Sequence, residues 1–325
     1  MSFRARLLFL CIAIVMLAAA LVLGILFSPE RLQARTAGKS LLGPGLAQQI
    51  EGIDIIWRGE VRTTLRKQAT GWESRTDGRV YPASAERITT FLRTIAGLTR
   101  GRLASRDPGH FPELGLGEDG ARRLILHRAG TGPDLELLVG KRGPSGDEDY
   151  VMVSGENAAY LVRGSLAFFL AQDRPYWYEL HVLPDDVQGD TIDSITVSGN
   201  LAIAGPAAGV LEGPYTLSRG PGQQPAQWSL KGDDRPVNRI AASAMASALA
   251  MLEGVEFADP APGGAGQLSI EVATRQGRKY SLSVRPGQEP GKALVTTSWS
   301  PWTYIVNELP LRRAVPPLAS LRAPR

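Results

Sequence analysis

The longest apolar run of the chain lies close to its N-terminus. From Leu7 to Phe27, 21 residues carry no charge. A helix of that length, at about 1.5 Å per residue, crosses a hydrocarbon core of roughly 30 Å. Pro29 and Glu30 end the run. The pattern predicts one membrane-spanning helix, and we assign residues 1–28 to a short cytoplasmic tail and this anchor.

A cleaved signal peptide is the alternative interpretation of this segment. Arg4 and Arg6, the apolar run and the alanines at 18–20 resemble the three regions of such a peptide. Cleavage there would leave 21–27 as an apolar new terminus, and the run is longer than a signal requires. We therefore favour a retained helix that contacts membrane lipid.

The orientation of the anchor depends on a nearly tied count of positive charges. Arg4 and Arg6 precede the run, whereas Arg31, Arg35 and Lys39 follow it over a longer stretch. Because the first group is more concentrated, we expect the N-terminus in the cytoplasm. The folded part would then lie in the periplasm, held at the inner membrane by a single span.

Beyond residue 50, one order of hydrophobic features occurs twice. In the first copy, alternating apolar residues predict strands around 53–56, 64–72, 123–127, 135–139 and 150–151. In the second copy, the matching segments are 192–197, 215–228, 268–272, 280–284 and 294–295. The apolar segments 160–162 and 304–306 close the two copies, and we place them in a final helix. The pattern indicates an internal duplication.

Each copy also contains an amphipathic helix. Ser84 is a candidate N-cap for the first helix, whose apolar residues at three-and-four spacing are Ile88, Phe91, Leu92, Ile95 and Leu98. Asn238 introduces the second helix, whose predicted buried stripe is Ile240, Ala244, Met245, Ala248 and Leu252. The small residues of that stripe predict closer packing of the second helix.

These elements predict an α+β fold with mainly antiparallel sheets, because short Gly and Pro turns join the strands. The predicted order is β-β-α-β-β-β-α, twice, behind the membrane helix. The predicted boundaries are a juxtamembrane linker over 29–50, a first repeat over 51–172, a linker over 173–190, a second repeat over 191–315 and a flexible tail over 316–325.

Five short motifs of the first copy carry a family resemblance. They are Gly71-Trp72, the segment from Phe111 to Leu116, Leu138 to Gly140, Asp149 to Val151, and Ala159 to Val162. Together they resemble the bacterial domain-of-unknown-function family 4340. The second copy departs from the pattern, since Arg285 follows Val284 where the first copy has Gly140.

The resemblance implies an extracytoplasmic partner of ABC-2-type export systems related to gliding-motility transporters. It implies no chemistry.

Charge and cysteine content narrow the function classes. Removing Arg4 and Arg6 from the 36 basic residues leaves 34, against 32 acidic residues, so the folded part is nearly neutral. Acidic residues are interleaved with the basic ones, and we expect no nucleic-acid partner. Cys11, within the apolar run, is the only cysteine of the sequence. Disulfides, cysteine catalysis and thiolate metal ligands are therefore excluded for the folded part.

Two motifs are weak candidates for a cofactor or metal site. Residues 115–120 match GxGxxG, but a dinucleotide site needs a strand before and a helix after it, and a strand is predicted from Arg122. His110, His127 and His181 lack the spacing of metal ligands. We expect no cofactor and no metal ion.

Acidic and aromatic groups supply the remaining candidates. Asp147 to Asp149, and Asp185 with Asp186, are paired carboxylates of the kind that hydrolases use, although both lie beside turns and are typical of solvated loops. The aromatic residues that form a candidate interaction surface are Tyr176, Trp177, Trp299 and Trp302. The alternative for these aromatics is packing between the two copies.

The sequence thus favours a non-enzymatic, membrane-anchored accessory or scaffold protein of an ABC-2-type export or cell-envelope system. An ABC-2-type permease or another envelope protein is the expected partner. An envelope glycan- or peptide-binding module is the first alternative, and a carboxylate-dependent hydrolase is the second and less favoured one.

Overall fold

The structure, a computed structural model, describes residues 16–17, 38–43, 45–130, 132–164, 166–203, 209–220, 227–258 and 266–323. The chain divides into two compact units, with the boundary between Tyr178 and Glu179. Antiparallel sheets with a few helices make up both units. The predicted α+β class is therefore confirmed.

The predicted membrane helix over 7–27 lies outside the described residues, except for Met16 and Leu17. Among the helices that are described, none has the length and apolar character that a membrane span requires.

Unit 1 is built on one sheet. Its strands are β1 (Ile50–Trp57), β2 (Glu60–Gln68), β3 (Gly71–Thr76), β4 (Arg79–Ala83), β5 (Leu103–Ser105), β6 (Arg122–Arg128), β7 (Leu135–Arg142), β8 (Glu148–Val153) and β9 (Ala159–Arg163). Its helices are α1 (Leu46–Gln49), α2 (Ala85–Ala96) and α3 (Leu166–Leu170). The sheet order is β4-β3-β2-β1-β6-β7-β8-β9-β5, and each neighbouring pair is antiparallel.

Alternation along the central strands places one row of side chains in the core. Ile53 and Ile55 of β1 are buried, whereas Asp54 between them is half-buried on the opposite face. Because side chains alternate between the faces of a strand, β1 has one apolar and one polar face. The helices cover the apolar face through the cluster that includes Ile53, Phe91 and Phe169.

Helix α2 follows its predicted pattern. The Ser84 hydroxyl oxygen accepts a hydrogen bond from the Arg87 amide, so the predicted N-cap is confirmed. Ile88, Phe91, Leu92 and Ile95 form the buried face. The Gly97 amide donates to the Arg93 carbonyl and closes the last turn.

Trp177 lies at the centre of the unit 1 core. It is 0% exposed, and its ring centroid is 5.3 Å from that of Phe91. The backbone carbonyl of Trp177 accepts a hydrogen bond from the Ser84 amide. The segment from residue 173, predicted as a linker, therefore begins inside the packed core.

The prediction of a final helix at 160–162 is wrong, because these residues lie in strand β9. Tyr160 and Val162 face the main core, whereas Ala159 on the other face contacts a small cluster with Phe111 and Leu116. Burial on both faces gives a continuous apolar run, which lacks the alternation typical of a half-exposed strand.

Unit 2 is built on a second sheet. Its strands are β10 (Ile192–Ile203), β11 (Gly209–Glu212), β12 (Tyr215–Arg219), β13 (Trp228–Leu230), β14 (Glu256–Phe257), β15 (Leu268–Thr274), β16 (Lys279–Pro286), β17 (Lys292–Thr297) and β18 (Thr303–Asn307). Its helices are α4 (Arg239–Ala250) and α5 (Glu308–Ala314). The order is β13-β12-β10-β15-β16-β17-β18-β14, and β11 pairs with the second half of β10.

The segment 304–306 also lies in a strand, β18, rather than in the predicted final helix. The helix that follows, α5, starts only at Glu308. In the described part of the chain, each unit thus has nine strands where five were predicted. The strands that were not predicted separately are β3, β4, β5 and β9 in unit 1, and β11, β13, β14 and β18 in unit 2. β5 and β14 have only three and two residues, too few to show a period.

The buried face of helix α4 overlaps the predicted one only in part. Met245 and Leu252 are buried as predicted, whereas Ile240 is 79% exposed and Ala244 is exposed. The buried residues within the helix are Ala242, Met245, Ala246 and Leu249. Alanine on most sides of the helix gives little contrast between its faces, so the position of the stripe could not be fixed from hydrophobicity. The predicted N-cap, Asn238, accepts from the Ala241 amide and is confirmed.

Residues 316–323, predicted to be part of a flexible tail, contact the body of unit 2. Leu318–Leu321 form a 3₁₀ turn in which Leu321 is 0% exposed. The Asn238 amide donates to the Leu321 carbonyl, and the Ala323 amide donates to the Pro236 carbonyl.

Trp177→Ala should lower the free energy of unfolding by about 3–5 kcal/mol, because it leaves a cavity beside Phe91 and Phe169. Trp177→Phe should cost less, since it keeps a ring and removes a buried Nε1–H that has no hydrogen-bond partner. Chemical denaturation followed by circular dichroism measures both. Trp299→Ala, at a residue that is 41% exposed, is the control. Equal losses for Trp177→Ala and Trp299→Ala would contradict the assignment of Trp177 to the core.

Candidate functional site

The aromatic residues of the predicted interaction surface fall into different units. Tyr176 and Trp177 belong to unit 1, and Trp299 and Trp302 belong to unit 2. Trp177 has no exposed face. Tyr176 is half-buried and lies edge-on to Trp177 at 5.1 Å, while the Arg87 guanidinium covers its ring at 5.3 Å. Both therefore serve packing within unit 1.

The two tryptophans of unit 2 are more accessible. Trp299 is 41% exposed, and its Nε1–H donates to the Val182 carbonyl at 2.8 Å. Trp302 is half-buried, with its ring centroid 5.2 Å from that of Phe257. Of the four predicted residues, Trp299 is the one whose side chain offers a substantial surface to a partner.

His181 of unit 2 lies beside two carboxylates. His181 Nδ1 is 2.7 Å from Glu179 Oε1 and 3.5 Å from Asp185 Oδ1. The hydrogen bond with Glu179, opposed by burial, raises the pKa of His181 above its usual value. One ligand atom from each of the three residues lies within 4.8 Å of the others. Imidazole and carboxylate are ligands that suit a divalent metal, and the hydrogen bond between His181 and Glu179 already accounts for the approach of those two groups.

Unit 1 has a charged network on its open sheet face that extends over three strands. Asp54 of β1 receives two hydrogen bonds from Arg66 of β2, at 2.8 and 2.9 Å. His127 of β6 lies with Nε2 2.7 Å from Asp54 Oδ2 and with Nδ1 2.8 Å from Asp134 Oδ2. We call Asp54, Arg66, His127 and Asp134 the unit 1 network.

The unit 1 network is compact because β1 has a glycine beneath it. A Cβ atom on Gly52 would lie 3.0 Å from His127 Cδ2 and 3.1 Å from Arg66 Cδ. Burial opposes ionisation of Asp54, but the hydrogen bonds from Arg66 and His127 outweigh it and lower the pKa of Asp54. The network is thus a set of mutually satisfied charges that joins β1, β2 and β6.

Sequence reasoning did not find this network. Asp54 and His127 are 73 positions apart. His127 was considered only for metal-ligand spacing, and Asp54 only as part of a predicted strand. The pairing of Gly52 with His127 across β1 and β6 is what brings them together. A correct register for those two strands would have been the signal.

The acidic segment from Asp147 to Asp149 contributes to the structure of unit 1. Asp149 is 2% exposed, and its Oδ2 accepts a hydrogen bond from the Ala167 amide at 3.0 Å, at the start of α3. Burial, opposed by this hydrogen bond, raises the pKa of Asp149. Asp147 is solvent-exposed, 3.7 Å from Arg163. One carboxylate therefore caps a helix, and the other lies in the solvated turn.

The GxGxxG segment is a turn that leads into a strand, as expected. Gly115 has a φ of +75°, and a Cβ there would lie 2.8 Å from Lys141 Cγ, so the position requires glycine. β6 begins at Arg122, directly after the segment. Phe111 and Leu116 pack against β9 through Ala159. The segment covers part of the sheet.

Unit 2 has a groove on its sheet, which sequence analysis also missed. It has a volume of about 500 Å³ and lies over β10, β15 and β16. Its lining is mostly polar and includes Ser194, Thr196, Glu271, Ala273, Lys279 and Ser281. We call this the unit 2 groove.

Comparison with known protein families gives a match. The family described as Domain of unknown function (DUF4340) matches residues 72–269, which is more than half of the 325 residues. No curated protein and no solved structure matches the chain at a significant level.

Asp54→Asn should destabilise the protein by about 1–3 kcal/mol at neutral pH, because Arg66 and His127 lose the charge that they surround. Thermal and chemical denaturation measure the change. The matched control is Glu136→Gln, which breaks a 2.6 Å pair with the more exposed Arg123 and should cost less than about 1 kcal/mol.

The effect of Asp54→Asn should depend on pH. Because the pKa of Asp54 is lowered on folding, its contribution is complete above the unfolded value of about 3.9 and is lost as the pH falls through the folded value. The difference between the native protein and Asp54→Asn should therefore shrink below about pH 4. A difference that stays constant down to about pH 2 would contradict the lowered pKa.

Proposed function

The chain belongs to the family described as Domain of unknown function (DUF4340), and we propose that it is a non-enzymatic, membrane-anchored accessory protein of an ABC-2-type export or cell-envelope system. The observation that carries the proposal is that ionisable side chains of unit 1 form hydrogen bonds and ion pairs within the fold. The charged groups that would be candidates for chemistry in unit 1 are engaged in structural contacts.

Two arrangements of side chains support a role in binding a partner protein rather than in catalysis. His127 is held by Asp54 and Asp134 at both ring nitrogens, so neither nitrogen is directed at a free nucleophile. Asp149 caps α3 from a buried position. A carboxylate pair for hydrolysis needs two groups facing one open space, and a buried cap does not supply this.

We further propose that the two units arose by duplication of one unit. The support is their strand order: β4-β3-β2-β1-β6-β7-β8-β9-β5 in one and β13-β12-β10-β15-β16-β17-β18-β14 in the other. In each, the first strand pairs with the strand that follows the main helix and its short edge strand. The β11 hairpin is the addition in unit 2.

The proposed location is the inner membrane, with the span at 7–27 and both units in the periplasm. The support is the uncharged run and the clustered Arg4 and Arg6. A permease of an ABC-2-type system is the proposed partner, and its support is the family resemblance alone.

A glycan- or peptide-binding module is the second candidate function, and the unit 2 groove favours it because its lining is polar and accessible. Trp299, 41% exposed, would add an aromatic surface.

Purification of the tagged full-length protein in mild detergent should recover subunits of an ABC-2-type permease, because an accessory protein that acts beside a transporter binds it in the membrane. Mass spectrometry of the eluate identifies them. An unrelated single-span protein with the same tag is the control for adventitious recovery. Repeated isolation of the protein alone, at native expression level, would overturn the proposal.

A reporter fused after Arg35 tests the orientation. Alkaline phosphatase, which is active only outside the cytoplasm, should be active at that position, and a reporter that is active only in the cytoplasm should be inactive. The same two reporters fused before Leu7 should give the opposite pattern. Cytoplasmic activity after Arg35 would overturn the proposed location.

A further inference from the structure

The unit 1 network and the unit 2 groove occupy corresponding places in the two sheets. Ile53 of β1 pairs with Leu65 and Leu126 on its two sides, and Ile195 of β10 pairs with Leu217 and Val272 in the same way. Asp54 follows Ile53 and Thr196 follows Ile195, so Asp54 corresponds to Thr196. The correspondence continues onto the neighbouring strands, from β6 to β15 and from β7 to β16.

The side chains that fill this place in unit 1 are replaced by shorter ones in unit 2. His127 pairs with Gly52, the residue before Ile53, and Ala273 pairs with Ser194, the residue before Ile195. His127 therefore corresponds to Ala273. Glu136 pairs with Ile125, which lies opposite Asp54, and Ser281 pairs with Glu271, which lies opposite Thr196. Glu136 therefore corresponds to Ser281. An imidazole and a carboxylate are thus exchanged for a methyl and a hydroxyl, and the space becomes the unit 2 groove.

The remaining differences give the unit 2 groove its own chemistry. Ile125 corresponds to Glu271, because they pair with Asp54 and Thr196. Leu135 corresponds to Tyr280, so the residue before each, Asp134 or Lys279, holds the next position. Glu271 and Lys279 are exposed and line the groove. Within the described residues, neither one forms an ion pair. A carboxylate that accepts and an ammonium that donates are thereby available to a ligand, beside hydroxyls that do both.

The position on the sheet face excludes a strand-like peptide. β15 pairs with β10 on one side and with β16 on the other, so its backbone amides and carbonyls already serve the two ladders. A peptide that adds to a sheet needs a free edge. Recognition in the groove must therefore come from side chains, and its ligand must carry many hydrogen-bonding groups of its own.

We propose that the unit 2 groove binds a hexose-containing glycan. Sugar hydroxyls donate and accept hydrogen bonds, which matches Ser194, Thr196 and Ser281 together with Glu271 and Lys279. A volume of about 500 Å³ lies within the usual range for small-ligand sites.

This inference adds a ligand to the second candidate function and does not depend on contact with a permease. Binding is measured on the purified protein alone, so a failure here leaves the co-purification result unaffected, and the reverse holds as well.

The test is isothermal titration of the full-length protein, in a detergent without a sugar headgroup, with three probes. The probes are maltotetraose, chitotetraose and tetragalacturonic acid, which represent neutral, N-acetylated and acidic glycans. At least one should bind saturably. Glu271→Gln should weaken that binding roughly tenfold or more, because a charged hydrogen-bond acceptor is lost, and Ala273→Trp should abolish it by filling the groove.

The matched control is Glu256→Gln in β14, an exposed residue that does not line the groove, and it should bind like the native protein. Circular dichroism checks folding of each variant. If Ala273→Trp does not fold, the exposed and isosteric Glu271→Gln decides the result.

No saturable binding of any of the three probes by the folded native protein would overturn the proposal. Binding that is unchanged in both Glu271→Gln and Ala273→Trp would overturn it as well. Displacement of a bound glycan by a Ser- and Thr-rich peptide at equal concentration would also contradict it, because a peptide would then be an equivalent ligand.

Discussion

Each unit depends on the pairing of two strands that are distant in the sequence. In unit 1, the sheet consists of the hairpins β1 to β4 on one side and the strands from β6 on the other, and the pair β1 and β6 joins them. Ile53 of β1 lies opposite Leu126 of β6. In unit 2, Ile195 and Val272 hold the same relation between β10 and β15. Closing the long connection costs chain entropy, so the pair must be stabilised by buried apolar residues on one face. The helices and the edge strands attach to the sheet that this pair creates.

The two units use the opposite face of that pair differently. In unit 1, Asp54, Arg66 and His127 add charged hydrogen bonds across three strands and fill the space. In unit 2, Thr196 and Ala273 at the corresponding places leave the space open. The two sheets therefore share an apolar face and differ on the polar one. Charged side chains fill it in unit 1, and short side chains leave a groove in unit 2.

The periodic elements were the predictable part of the structure. Helix α2 has a strongly amphipathic sequence, and its Ser84 cap and buried residues follow from spacing alone. Strand β9 did not follow, because it is buried on both faces, and helix α4 did not, because alanine gives its faces little contrast. The charged network depends on register between residues 73 positions apart. The groove exists because Ala273 and Ser281 have short side chains, and hydrophobic periodicity does not indicate side-chain size.

The burial of Trp177 and Leu321 has a consequence for biosynthesis. Trp177 is the penultimate residue of unit 1, Leu321 belongs to the 3₁₀ turn that follows the last helix of unit 2, and both are 0% exposed. A chain that emerges from its N-terminus cannot complete either core until the last residues of that unit are available. A product truncated before Trp177 or before Leu321 would therefore leave apolar residues of that unit's core exposed.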